Sequence, residues 1–202
     1  MIEEKKKPSF WGGPPAPYYR DTETGREYRR FFGGMAWPDI QTGFIVIVGE
    51  ELDADKFMDE HKCWILAEYE SPNPSDLIRR CREYKGRFEV DRIFGDTKNR
   101  PMMEYIRNGK VDFYLSDAPF MDDESKAVQY YLTLIREMTS ATKKVLSFGG
   151  NSKIPGILAG GDQHPAPPAV LALGYALAAL RAYRPRNPGD YLLIQPEFVP
   201  TY

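Results

Sequence analysis

A few polar residues in this chain have types and settings that could do chemistry. Asp96 closes the β-rich run VDRIFG and precedes a segment that reads as a helix. An acid there either caps the turn into that helix or presents a carboxylate at a strand end. Asp39 lies in PDIQTG, where Pro-Asp favours a turn. Asp162 and His164 share the Gly- and Pro-rich stretch GGNSKIPGILAGGDQHPAPP, which reads as a loop. His164 either assists a metal or a phosphate or is an ordinary loop residue. Asp122 and Asp123 suit a helix cap. Arg79, Arg80, Arg82, Lys85 and Arg87 cluster around one helix. Such a cluster either neutralises phosphates or forms a solvated charged face. Cys63 and Cys81 are too few and too far apart for a zinc site or a disulfide framework, and read as buried thiols. No G-x-x-x-x-G-K-[ST] occurs, so the chain has no phosphate-cradling ATPase loop of that type.

Composition bounds these readings. The 202 residues suit one domain, with 42% hydrophobic and 28% charged residues, as in a globular protein. A net charge of −2 advertises no overall field for nucleic acid, although a local basic face remains open. The opening MIEEKKKPSF has no apolar stretch of a secretion signal. The longest apolar run, AVLALGYALAAL at 169–180, is too short to span a bilayer and suits a buried helix. A cytoplasmic protein without a membrane partner is expected.

The elements that must position these residues follow from patterning. Residues 1–28 mix Pro, Gly and aromatics in WGGPPAPYYR and read as an extended arm lying on its own domain or on a partner. Strands are expected near 29–37, 44–49, 63–69, 91–95 and 111–115. FIVIVG is continuously apolar, so its strand is expected to be covered on both faces. Ser75 is placed to cap a helix carrying Leu77, Ile78, Cys81 and Tyr84, with Gly86 near its end. Pro101 opens a second helix, in which Met102 and Met103 read as core filler. Ala127, Val128, Tyr131, Leu134, Ile135 and Met138 form one apolar helical stripe. KKVLSF is a short apolar run, and Pro167 and Pro168 open the last helix, 169–184. The tail YLLIQPEFVPTY is extended, its prolines confining it to an edge or a groove. The order predicts an α/β domain at 29–185 with a mixed five-stranded sheet, its first three strands antiparallel, and helices on both faces. The arm (1–28) and the tail (186–202) flank it.

Three places carry a resemblance: YRRFFGGMAWPDIQTGFIVIVG, IFGDTKNRPMMEYI and GGDQHPAPPAVLALGYALAAL. In this order the chain resembles the RNase H-like superfamily, and most the nuclease domain of phage terminase large subunits, over roughly residues 28–184. The resemblance implies metal-dependent hydrolysis of DNA phosphodiesters linked to phage genome packaging. It implies a two-metal endonuclease site loaded with Mg²⁺ or Mn²⁺, held by carboxylates at strand ends and at the start of the last helix. Asp96 matches the second acid position. The first is expected near Met35–Ala36, where the sequence reads GGMAW and the nearest acid is Asp39. At the third, where the family often has His followed by acids, the chain reads His164, Pro165, Ala166, Pro167, Pro168, Ala169, and the nearest carboxylate is Asp162. The implied metal-binding and catalytic set is therefore Asp96, Asp39 and Asp162. The implied partners are DNA and a separate packaging ATPase or another phage assembly protein. The alternatives are a catalytically inactive relative with a degenerate active site that binds DNA or protein, and a structural assembly protein reusing the fold.

Overall fold

β4 (Gly43–Glu51) forms where the sequence is most continuously apolar, and it is buried from Gly43 to Glu50. It is the middle of an antiparallel trio, flanked by β3 (Glu27–Ala36) and β5 (Cys63–Ser71). Alternation sends Phe44, Val46 and Val48 to one face and Ile45 and Ile47 to the other. Both faces need cover, which is why the run lacks the polar alternation of a half-exposed strand. The computed structural model describes residues 1–7, 16–37, 42–52, 62–88, 90, 92–97, 99–108, 114–118, 124–159 and 166–182.

α1 (Pro74–Phe88) and α2 (Arg100–Asn108) supply cover on one face. Leu77, Ile78, Cys81, Tyr84, Met102 and Ile106 pack there with Met35, Ile45, Ile47 and Ile93. The cap of α1 is Asn73 rather than the expected Ser75: the Asn73 side-chain oxygen accepts from the Ser75 N–H at 2.9 Å. The helix also continues past Gly86 to Phe88. The other face is covered by α3 (Glu124–Thr139) and α5 (Pro168–Ala182). The α3 stripe is buried as patterned, with Val128 half-buried. α5 is buried around its whole circumference over most of its length, as its apolar text requires.

The expected strands share one sheet, which among the described residues has eight strands rather than five. β6 (Arg92–Gly95) pairs parallel with β3, and β7 (Tyr114–Asp117) parallel with β6. β8 (Leu146–Ser147), within KKVLSF, pairs parallel with β5. β1 (Ile2–Lys7) and β2 (Ala16–Asp21) form an antiparallel ribbon, and β2 pairs with β3 at Tyr19–Tyr28 and Arg20–Glu27. Within the segment expected to be an extended arm, residues 2–7 and 16–21 are thus paired as strands at the end of the sheet. β3 is long enough to carry β2 along its first half and β6 along its second. The stretch expected to be a loop before α5 contains a short helix, α4 (Ile154–Ala159). The tail at 186–202 lies outside the described residues. Among the described residues no helix is long and apolar enough to cross a membrane.

Candidate functional site

Three parallel strands end side by side. In β3 and β6, Gly33 lies opposite Ile93 and Gly34 opposite Phe94; in β6 and β7, Gly95 lies opposite Asp117. The carboxyl ends of β3, β6 and β7 therefore share one edge. The Ala118 N–H donates to the Gly95 carbonyl at 3.1 Å and ties the exit of β7 to that of β6.

Alternation decides which side chains face which helices. Phe94 belongs to the cluster under α3 and α5, whereas Ile93 belongs to the cluster under α1 and α2. Asp96, two residues after Phe94, is on the α5 side and half-buried. Ala36 is on the same side, 4% exposed and packed in the α5 cluster. Extending the β3–β6 register by two residues sets Ala36 beside Asp96. The position to which the resemblance assigns the first carboxylate is thus a buried methyl group next to the acid that is present.

The start of α5 comes over the same edge. A Cβ on Gly34 would overlap the Ala172 carbonyl oxygen, so helix and strand touch backbone to backbone there. At the far end, Arg30 Nη2 donates to the Leu180 carbonyl at 3.5 Å. Eight helical residues from Ala172 to Leu180 cover about 12 Å, and four strand residues from Gly34 to Arg30 cover about 13 Å. The two lengths match, so α5 runs antiparallel to β3. Its first turn, from Pro168, then reaches the level of Ala36. Beneath Asp96 the surroundings are apolar and tightly fitted. Tyr131 is fully buried, its ring meets Tyr175 edge-on at 5.4 Å, and it packs against Gly174, where any Cβ would overlap it. Burial above all, and then the neighbouring Tyr130 and the Asp96 charge, push the Tyr131 phenol well above its ordinary range.

Of the residues singled out in the sequence, Asp96 is placed at this edge. Asp39, Asp162, His164, Asp122 and Asp123 lie outside the described residues. The cap of α2 is Asn99, whose side-chain oxygen accepts from the Met102 N–H at 2.9 Å. The fifth strand, expected to stop at Leu115, continues two residues and ends on Asp117, whose register opposite Gly95 puts it on the sheet face of Ile93 and Leu115, not on that of Phe94 and Asp96. Among the described residues, no three His, Cys, Asp or Glu side chains gather as a metal cluster. The basic cluster on α1 is laced with acids. Arg79 bonds Asp76 and Glu83, and Arg80 bonds Glu83 while stacking over the Tyr69 ring. These pairs favour the solvated charged face over a phosphate site. Cys63 and Cys81 are both buried and form no disulfide.

No family model matches the chain, and no curated protein matches it in sequence. Solved structures do match in fold. The large terminase nuclease of the thermophilic phage G20c, with bound zinc, is similar at a TM-score of 0.51 and 12% identity, over 79% of this chain and 85% of that one. A large terminase from another thermophilic bacteriophage, in complex with ADP, is similar at a TM-score of 0.51 and 9% identity. That match covers 76% of this chain, which spans 40% of the ADP-bound terminase. At this identity the likeness is one of fold alone: over the matched residues the chain folds as these terminases do.

Proposed function

We propose that this chain is a terminase-nuclease-like domain that hydrolyses DNA phosphodiesters with divalent metal, in the setting of phage genome packaging. The observation that carries the reading is the convergence at one sheet edge of Asp96, the ends of β3 and β7, and the first turn of α5. Hard cations such as Mg²⁺ and Mn²⁺ need several oxygen donors. The described side chains supply Asp96, with Ala36 beside it, and do not complete that set alone. Asp39 and Asp162 are the proposed completing donors. Asp39 is two residues from Trp37, a reach of at most about 7 Å, and Asp162 is four from Ala166, a reach of at most about 14 Å. When bound, metals would activate a water and stabilise the leaving oxygen of the phosphodiester. The chain itself would orient the Asp96 carboxylate at the strand end and exclude water beneath it through Phe94, Ala118 and Tyr131. The G20c nuclease carries zinc in its structure, in line with a divalent-metal site on this fold. The second of the two terminases was solved with ADP. The proposed partners are DNA and a packaging ATPase or another phage assembly protein.

The burial of Ala36 at an acid position favours a second reading, an inactive relative that binds DNA or an assembly protein. One experiment divides them. Cleavage of plasmid and single-stranded DNA is measured with Mg²⁺ and Mn²⁺ for the wild type, Asp96→Asn, Asp39→Asn and Asp162→Asn, alongside Mn²⁺ binding by paramagnetic resonance. The nuclease reading expects metal-dependent cleavage that Asp96→Asn lowers by roughly 100-fold or more, because outer-shell partners alone are worth about 10- to 100-fold. Asp39→Asn and Asp162→Asn should each lower cleavage and weaken Mn²⁺ binding. No cleavage with either metal, and no Mn²⁺ bound, leaves the binding module standing.

A further inference from the structure

The carboxyl edge has a second feature on the opposite face of the sheet. Trp37, one residue beyond Ala36, turns to the α1–α2 side and packs half-buried against that cluster. Tyr105, on the outer side of α2, lies against it with ring centroids 5.5 Å apart at 57°. The Tyr105 hydroxyl is hydrogen-bonded to the Ser75 hydroxyl at the start of α1, which fixes the ring. Among the described residues, Tyr105, at 37%, is with Met1 one of two exposed large hydrophobic side chains. Met1 is a chain end. Tyr105 is a held aromatic ring facing solvent at the rim of the candidate site.

We propose that Trp37 and Tyr105 form a stacking platform for an unpaired DNA base, a reading that rests on the proposed action on DNA and extends it to how the strand is held. A fixed, solvent-facing ring that touches a second ring offers any base a π-face, and stacking on such a ring is one of the two ways proteins hold single-stranded DNA. Geometry sets the spacing. Asp96 and the platform point to opposite faces of the same sheet end, and side chains reach about 5 Å from the sheet on each side. A strand crossing the edge therefore runs about 10 Å from Asp96 to Trp37 and further to Tyr105, or three or more stacked nucleotides at about 3.4 Å each. Single-stranded or frayed DNA fits this path, because a base in an intact duplex is not available to stack on a protein ring.

The test is fluorescence anisotropy with labelled 12-nucleotide single strands in EDTA, so that no cleavage intervenes. The wild type, Tyr105→Phe and Tyr105→Ala are compared, with folding checked by circular dichroism. Tyr105→Phe keeps the ring and should bind within about twofold of the wild type. Tyr105→Ala should bind at least about fivefold more weakly, the lower range for loss of one stacked base. An abasic residue walked along the oligonucleotide should weaken wild-type binding at one position and leave Tyr105→Ala unaffected there. Equal affinity of Tyr105→Ala and wild type, no single sensitive position, or no wild-type binding overturns the platform. If the wild type binds in this pattern but cleaves nothing with any metal, the nuclease reading fails while the platform holds.

Discussion

Gly34 is the residue on which the site's architecture depends most directly. α5 lies so close to β3 that a Cβ there would overlap the Ala172 carbonyl, a backbone atom that cannot rotate away. Gly34→Ala should therefore lift the start of α5 from the strand ends and destabilise the fold by about 1–3 kcal/mol or more; urea unfolding measures it. A loss below about 0.5 kcal/mol would mean that helix and strand do not touch at that point. A second residue-scale consequence concerns buried phenols. Burial pushes Tyr28, Tyr84 and Tyr131 above their ordinary value of 10. Below pH 10 folded and unfolded chains hold the same phenol protons. Above it the unfolded chain releases protons that the fold retains, so stability falls as pH rises toward the folded values, at up to about 1.4 kcal/mol per pH unit for each phenol. Tyr131→Phe should make that alkaline decline shallower by up to about one phenol's share. An unchanged slope between pH 10 and 11 would show Tyr131 to be solvated.

At the scale of elements, one ion pair links β3, β4 and α5. Arg30 Nε meets Glu50 at 2.5 Å, Glu50 is 1% exposed, and the same guanidinium reaches the last turn of α5 at Leu180. Arg30→Met would remove a cationic partner of a buried carboxylate and should destabilise by up to roughly 3–5 kcal/mol, whereas Arg30→Met with Glu50→Leu should recover much of that loss. Chemical denaturation of the two variants checks it; a double variant no better than the single would mean that the loss does not come from the buried Glu50 charge. The elements legible in the sequence were those whose own pattern demands burial: FIVIVG, the α3 stripe and the all-apolar α5. Two were not legible because their causes lie elsewhere in the chain. α4 contains Pro155 and Gly156, a poor helix recipe, yet it forms after a segment held by Glu68 on β5, whose carboxylate accepts from the Ser152 hydroxyl and the Lys153 N–H. β1, IEEKKK, has no apolar alternation and is a strand only because β2 pairs with it. At the site, Asp96 was legible as an acid at a strand end, and the acid that ends β7 was not, since that strand runs past the expected end at Leu115 to Asp117.

At the scale of the molecule, the sheet branches at β3, where β2 takes the first half of the strand and β6 the second. Nothing in the β3 text announces two neighbours on one side, because pairing partners are a property of the whole chain. The branch gives the N-terminal ribbon a structural share in the domain: Tyr19 packs on Phe31 at 5.0 Å, and Phe31 in turn meets Tyr28 and Phe88. Yet the two core clusters draw their fully buried members from residue 32 onward. Removing residues 1–26 should therefore leave a folded domain that is weaker, not an unfolded one. The loss should be about 1–3 kcal/mol, the sum of an aromatic contact and partly buried apolar surface. Truncation also bares the first half of β3, and an uncovered strand edge pairs readily with another copy. The truncated chain should accordingly unfold at lower urea and self-associate on light scattering as its concentration rises, while the full chain does not. Unchanged stability would show that the ribbon does not belong to the sheet. Loss of all cooperative unfolding would show that it belongs to the core.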